Sequence, residues 1–277
     1  MLRLGLYILQ LKLKLKHTLL TVHSFPPLYS TLQLVDSSEG ITVEFDMAPN
    51  SVDDSYGHCA KNMYEKVKYL LLAEKMKDIN FAKLWSIAEK HNIHTDQNLS
   101  RLHRIAIYTY TMGLIKPPFY KTLNNAVRNW QSHTLASFPY KSEHFLLTDA
   151  IWMLKRVEVR NKKPRCVTTY RGTSLIYKKA KIGREFRFGA FTSSSTSKTV
   201  AQGFGKKTCF IIRTCFGANI TPYSAFKNVP EVLIPPYEKF KVTKVSSANE
   251  IGSMFCDVTY TVKSSGIQSN RLVYRFQ

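Results

Sequence analysis

The pattern of apolar residues changes at Pro164, and this change limits the chain to few folds. Before Pro164, apolar residues recur at helical spacing in two stripes: Phe81, Leu84, Trp85 and Ala88, then Leu147, Ile151 and Leu154. After it, short runs rich in β-branched and aromatic residues predict strands at 166–170, 185–191, 208–214, 231–234, 239–245 and 257–263. A helix-rich half followed by a strand-rich half predicts an α+β domain.

The pattern also divides the chain into a leader and one folded domain. Residues 1–40 are predicted to be leader and linker, because a short apolar run gives way to alternating leucine and lysine, as in a degenerate signal peptide. The folded domain is expected at 41–277, with a helical lobe at about 51–158 and a β-rich lobe at about 165–277. We expect no transmembrane segment and no GPI-attachment signal, since no long apolar stretch and no hydrophobic tail are present.

The chain is strongly basic, with a formal net charge of +21 from 40 Lys and Arg against 19 Asp and Glu. Clustered positive charge releases counterions from nucleic-acid phosphates, so a nucleic-acid-binding function has to be weighed. Here the charge is spread along the chain, apart from short clusters at 160–165 and 178–181. This distribution favours a generally basic surface for anionic ligands, and no nucleic-acid partner is expected.

The chain has five cysteines: Cys59, Cys166, Cys209, Cys215 and Cys256. They form no CxxC pair and show no metal-ligand spacing, so they favour disulfide bonds over a metal site, and we expect no metal. Their odd number leaves at least one thiol unpaired within the chain. Glycosylation sequons begin at Asn98 and Asn219. Together these features predict a secreted, extracellular protein.

Three polar residues in the β-rich half are candidates for a site that acts on a dinucleotide. Arg171 precedes Gly172 at the end of a predicted strand, where a guanidinium can bind phosphate and a glycine lets backbone approach a ligand. Ser193 begins a serine cluster whose hydroxyls can bind a ribose. Glu231 opens a short strand, and its carboxylate can stabilise positive charge developing on a ribose. Each residue alone is more typical of a solvated strand end, so only their combination indicates a site.

Seven segments carry a family resemblance: residues 46–56, 145–150, 170–172, 187–195, 201–205, 214–218 and 231–237. Their order resembles that of the vertebrate ecto-mono-ADP-ribosyltransferases, whose active site is named for an Arg-Ser-Glu trio. The resemblance spans about residues 44–270. It implies an ADP-ribosyltransferase fold, with a mixed β core and an N-terminal helical lobe. It also implies an extracellular location and NAD as a consumed substrate.

The resemblance further implies a role for each matching residue. Arg171 would bind the phosphates and ribose of NAD, while the backbone of Gly172 would hold the nicotinamide amide. Ser193 would orient the nicotinamide ribose and the catalytic carboxylate. Glu231 would be that carboxylate, bonded to the ribose 2′-hydroxyl and stabilising an oxocarbenium-like state. Phe204, in a predicted helix after the serines, would stack on the nicotinamide.

The cysteines match the family only in part. Cys166 and Cys215 match one family disulfide. In the family, the cysteine that matches Cys59 usually pairs with a cysteine near the C-terminus, just after a Ser-Asn pair. In this chain, no cysteine follows the Ser-Asn pair at 269–270. Cys59 is therefore free, or it pairs with Cys209 or Cys256.

A second departure concerns the acceptor. Arginine-specific members carry Glu or Gln two residues before the catalytic glutamate, and this chain has Val229 there. An apolar side chain can neither accept a proton nor pair with a guanidinium. The leading hypothesis is an NAD(P)+-protein-arginine ADP-ribosyltransferase that transfers ADP-ribose to a protein side chain, by default arginine. The alternatives are an NAD glycohydrolase with water as acceptor, and a catalytically silent binding protein on the same fold.

Overall fold

The computed structural model describes residues 42–91, 97–130, 137–248, 250, 254 and 256–269. All of them belong to one unit that spans residues 36–277. The predicted leader and linker at 1–40 lies outside the described residues.

Helices make up most of the described chain before Pro164: α1 Ala60–Lys77, α2 Ile79–Lys90, α3 Arg101–Thr111, α4 Phe119–Arg128 and α5 Lys141–Arg160. Side chains cap two of them. Asp78 accepts the backbone N–H groups of Asn80 and Phe81 at the start of α2, and Ser100 accepts that of His103 at the start of α3. The stripes predicted from Phe81 and from Leu147 are buried faces of α2 and α5, which confirms their helical spacing. No helix in the described ranges is long and apolar enough to cross a membrane.

Strands dominate the second half: β1 Thr42–Val43, β2 Val167–Thr173, β3 Ile176–Tyr177, β4 Glu185–Arg187, β5 Thr192–Ser194, β6 Thr208–Thr214, β7 Ala218–Asn219, β8 Val232–Ile234, β9 Glu238–Ser247 and β10 Val258–Ile267. A short helix, α6, spans Lys198–Gln202. Five strands form one sheet in the order β2-β6-β10-β9-β4, in which only β6 and β10 are parallel. This confirms the predicted α+β class with a mixed β core.

A smaller sheet, in the order β5-β8-β7, lies beside the larger one. The two sheets are joined where Tyr170 and Ser195 exchange backbone hydrogen bonds of 2.7 and 2.8 Å. The small sheet contributes Ala218 and Leu233 to the core of the helices, while aromatic residues such as Phe210 fill a separate core against the large sheet. The small sheet therefore lies between the helical lobe and the large sheet.

Two disulfides cross-link the β-rich half. Cys166 is bonded to Cys215, as the family resemblance implied. Cys209 of β6 is bonded to Cys256, and Cys59 is a buried free thiol. Cys59 therefore has no disulfide partner, because Cys209 and Cys256, the two candidates that the sequence left open, are bonded to each other.

Candidate active site

Three neighbouring strands bring the predicted site residues together. Arg171 lies in β2, Ser193 lies in β5, and Glu231 immediately precedes β8. Strands β5 and β8 are antiparallel neighbours, and the bridge between Tyr170 and Ser195 places β2 beside β5. All three side chains are half-buried, so each is partly open to a ligand.

The Arg171 guanidinium is anchored by a single hydrogen bond. Its Nη1 donates to the backbone oxygen of Ser193 at 2.7 Å. Among the residues that the structure describes, the other N–H groups of this guanidinium have no protein partner, so they can bind an anionic ligand. The prediction that Arg171 ends its strand is wrong, because the register with β6 continues through Thr173.

The three serines of the cluster have different partners. The Ser194 and Ser195 hydroxyls donate to the backbone carbonyls just after and just before Glu231, at 3.0 and 2.7 Å. These two serines therefore tie β5 to the segment that carries the glutamate. The Ser193 hydroxyl instead lies near the Glu231 carboxyl group and lowers its pKa. The first serine of the cluster is thus the one whose hydroxyl faces the carboxylate.

Glu231 is held by both its backbone and its side chain. Its N–H donates to Thr221 Oγ1 at 2.8 Å, and its carbonyl accepts the N–H of Ile220 at 3.0 Å. The Ser224 hydroxyl donates to Oε2 of the carboxylate at 3.2 Å. Burial raises the pKa of the Glu231 carboxyl above its ordinary value, while hydrogen bonds from Ser193 and Ser224 oppose this rise. The result is a fixed carboxylate that can face a developing positive charge.

Gly172 is required by close packing inside the protein. A Cβ at this position would lie 2.4 Å from the Gly205 oxygen and 2.5 Å from the Ala201 oxygen, both too short for real contacts. The end of α6 and the turn after it therefore press directly on β2. Phe204 lies in that turn, beyond the end of α6 and not inside a helix as predicted, because α6 stops at Gln202. Its ring is 49% exposed and so is available for stacking.

The residues before Glu231 form a loop, residues 224–230, which we call the 224–230 loop. Its sequence, Ser-Ala-Phe-Lys-Asn-Val-Pro, contains no acidic residue. The N–H of Val229 donates to the Phe226 oxygen at 3.0 Å, which closes a turn, and the Val229 side chain is half-buried. The position that carries Glu or Gln in arginine-specific enzymes is therefore apolar here.

Sequence reasoning missed a set of polar contacts from the helical lobe to the site. The Tyr110 hydroxyl donates to the Phe191 oxygen at 3.2 Å, and Asn124 Nδ2 donates to both groups, at 3.0 and 2.9 Å. The Thr111 hydroxyl accepts the N–H of Ala225 at 2.9 Å. A signal was present, because the buried C-terminal half of α3 contains consecutive hydroxyl side chains, which require partners.

The arrangement suits binding of an anionic nucleotide and stabilisation of a cationic sugar. Within the described ranges, no group of three or more His, Cys, Asp or Glu side chains is placed to hold a metal ion. Ser193 links the two charged groups, because its carbonyl accepts from the Arg171 guanidinium and its hydroxyl lowers the pKa of the Glu231 carboxyl group. The guanidinium can hold phosphate and the carboxylate can face the ribose.

Comparison with known proteins agrees with this reading. The family model described as "NAD:arginine ADP-ribosyltransferase" matches residues 45–258. Ecto-ADP-ribosyltransferase 5 of Bos taurus is 36% identical over 235 residues, covering 80% of this chain and 73% of that protein. NAD(P)(+)-arginine ADP-ribosyltransferase 2 of Gallus gallus is 34% identical over 218 residues, covering 76% of this chain and 67% of that protein.

A solved structure supports the same relationship. The crystal structure of a mutant of the eukaryotic mono-ADP-ribosyltransferase ART2.2 in complex with NAD superposes with a TM-score of 0.64 and 29% sequence identity. The match covers 84% of this chain and 97% of that one.

Proposed function

The chain belongs to the NAD:arginine ADP-ribosyltransferase family, and we propose that it splits NAD at the nicotinamide ribose and transfers ADP-ribose to an arginine side chain of a protein. The observation that carries this proposal is the convergence of Arg171, Ser193 and Glu231 from adjacent strands. A guanidinium, a hydroxyl and a carboxylate in that arrangement suit the phosphates, the ribose and the cationic transition state of NAD cleavage.

In the proposed binding mode, Arg171 donates hydrogen bonds to the phosphates of NAD through the N–H groups not used by the Ser193 carbonyl. The turn that packs on Gly172 presents Phe204, whose exposed ring stacks on the nicotinamide. The Gly172 backbone, at the same end of β2, holds the nicotinamide amide. Binding thus draws on β2 and the turn after α6.

In the proposed chemical step, the bond between ribose C1′ and the nicotinamide nitrogen breaks, and its electron pair leaves with nicotinamide. Positive charge then develops on the ribose, and the ionised Glu231 stabilises it. The hydrogen bond from Ser224 keeps the carboxylate oriented, and the hydroxyls of Ser193 and Ser224 both favour its ionised form. The acceptor nitrogen then bonds to C1′ and loses a proton.

Hydrolysis of NAD is the second candidate reaction, and Val229 is the observation that favours it. An arginine guanidinium has a pKa above about 12, so a neighbouring carboxylate assists its attack, and the 224–230 loop supplies none. Water needs no such group. We therefore propose that the protein transfers ADP-ribose to arginine and also releases free ADP-ribose.

The proposed location is extracellular. The two disulfides of the described chain are typical of proteins that fold in an oxidising compartment. Asn219, the first residue of one sequon, is exposed on β7 and accessible to glycosylation. Relatives named as ecto-enzymes support the same location.

The test is to incubate the full chain with NAD labelled in both the nicotinamide and the adenine, with and without agmatine as an arginine analogue. Chromatography then separates nicotinamide, ADP-ribose and ADP-ribosyl-agmatine. We expect nicotinamide release under both conditions and ADP-ribosyl-agmatine when agmatine is present. Intact NAD after prolonged incubation with folded protein would overturn the proposal, and would favour a catalytically silent binding protein instead.

A further inference from the structure

We propose that Tyr110 and Thr111, adjacent residues at the C-terminal end of α3, are positioning residues that hold the segments bearing Ser193 and Glu231 in register with each other. The inference rests on the proposed function, because it adds two residues to that same site. Neither side chain has to touch NAD, since each acts through a segment that carries a reacting group.

Tyr110 fixes the segment that leads into β5. Its hydroxyl donates to the Phe191 oxygen at 3.2 Å. Asn124 of α4 donates to the Tyr110 hydroxyl at 3.0 Å and to the Phe191 oxygen at 2.9 Å, which closes a small network. The Tyr110 side chain is only 2% exposed, and its ring packs against that of Phe191. Ser193 follows Phe191 after one residue, so this network sets where its hydroxyl lies.

Thr111 fixes the start of the 224–230 loop. Its hydroxyl donates to the Ile107 carbonyl at 2.9 Å, which points its lone pairs toward the loop, and there it accepts the N–H of Ala225 at 2.9 Å. Ala225 follows Ser224, whose hydroxyl donates to the Glu231 carboxylate at 3.2 Å. The contact from Thr111 therefore reaches the carboxylate through two consecutive residues, Ala225 and Ser224.

A rigid helix end that binds both segments adds to the strand pairing and the Ser194 and Ser195 hydroxyls in setting the separation of Ser193 from Glu231. These residues come from different parts of the chain, and β5–β8 pairing alone leaves the side chains of the flanking loop unconstrained. Misplacement of a reacting group by about 1 Å can cost two orders of magnitude in rate. Support of this kind, from packed and hydrogen-bonded neighbours, holds a catalytic group in its productive geometry.

The test uses single hydroxyl deletions in the full chain. Tyr110→Phe and Thr111→Val each remove a hydroxyl and keep the shape of the side chain. Thr109→Val is the matched control, because Thr109 is fully buried on the same helix and its hydroxyl has no hydrogen-bond partner in the described part of the chain. Thr111→Ser is the rescue variant, since it restores the acceptor for the Ala225 N–H. Each variant is assayed for nicotinamide release and for melting temperature.

We expect Tyr110→Phe and Thr111→Val each to lower kcat about tenfold while the KM for NAD stays within about twofold. Thr109→Val should match the unmodified protein, and Thr111→Ser should recover most of the lost kcat. Thr111→Val should also move the acid side of the pH profile to higher pH, because weaker support of Ser224 removes a hydrogen bond that lowers the pKa of Glu231.

A kcat equal to that of Thr109→Val in both deletion variants would overturn the inference, whatever their melting temperatures. Should Thr111→Val fail to fold, the Tyr110→Phe comparison decides the matter. Failure of the proposed function is a separate outcome, because the unmodified protein would then release no nicotinamide at all.

Discussion

The two sides of the active site are built differently. On the side proposed to bind NAD, which we call the NAD side, Arg171 lies inside a continuous sheet strand, and two disulfides link β6 and its C-terminal flank to the residues just before β2 and β10. On the acceptor side, the 224–230 loop is held by single hydrogen bonds from Thr111 and Ser195 and by its own internal turn. The NAD side is covalently braced, whereas the acceptor side depends on hydroxyl groups.

The two sides also differ in how well their side chains match the family resemblance. The NAD side carries every group that the family resemblance asks for, including a guanidinium with unused donors. The acceptor side has Val229 where a carboxylate or amide would assist a guanidinium. The contrast teaches that NAD cleavage and acceptor choice are separable properties of this site, and substitutions on each side should change only one of them.

The largest expected effect is that of Glu231→Gln, because both transfer and hydrolysis require Glu231. The variant should release nicotinamide at least about a hundredfold more slowly, because it removes the charge facing the cationic sugar, an effect of roughly 3 kcal/mol. Release of labelled nicotinamide measures it, and Glu185→Gln, whose side chain is 43% exposed, is the control. Near-normal turnover in Glu231→Gln would show that another group stabilises the sugar.

Arg171→Lys should affect the NAD side alone. A lysine offers a point charge and cannot reproduce the two-pronged guanidinium contact, so the KM for NAD should rise about tenfold. The ratio of transfer to hydrolysis should stay constant, as measured by the ADP-ribosyl-agmatine and ADP-ribose formed. Arg213→Lys, on the exposed face of β6, is the control. An unchanged KM would mean that the phosphates are held elsewhere.

Val229→Glu should affect the acceptor side alone and by a smaller amount. The new carboxylate can pair with the acceptor guanidinium and take its proton, so the transfer-to-hydrolysis ratio should rise about threefold or more. The KM for NAD should not change. Val229→Leu keeps the position apolar and should leave the ratio as it is. An equal ratio in both variants would place acceptor activation at another residue.

How far the sequence could predict this structure differs between the two sides. The proximity of Arg171, Ser193 and Glu231 could be predicted because a motif fixes residue type and order, and strand pairing then brings them together. Tyr110 and Thr111 were not found, because helical spacing reports which residues are buried and gives no partner for a hydroxyl.

The other features that the sequence did not predict also depend on contacts between distant parts of the chain. The Cys209–Cys256 bond could not be chosen from sequence, since pairing depends on which strand ends meet. The strand β2 continues past Arg171 because it pairs with β6 through Thr173, and the turn after α6, which carries Phe204, packs against it at Gly172. Tertiary contacts, not local propensity, decide these boundaries.

The most direct test of the account is the pH dependence of nicotinamide release and of agmatine modification by the unmodified protein. One carboxylate, Glu231, must be ionised, and burial raises its pKa, so both rates should fall on acidification through a single ionisation that lies above the ordinary range of a glutamate. The two profiles should share that acid side, because the acceptor side contributes no second carboxylate. A second ionisation seen only in the agmatine reaction would contradict the account, as would rates that stay constant down to the pKa of an ordinary glutamate.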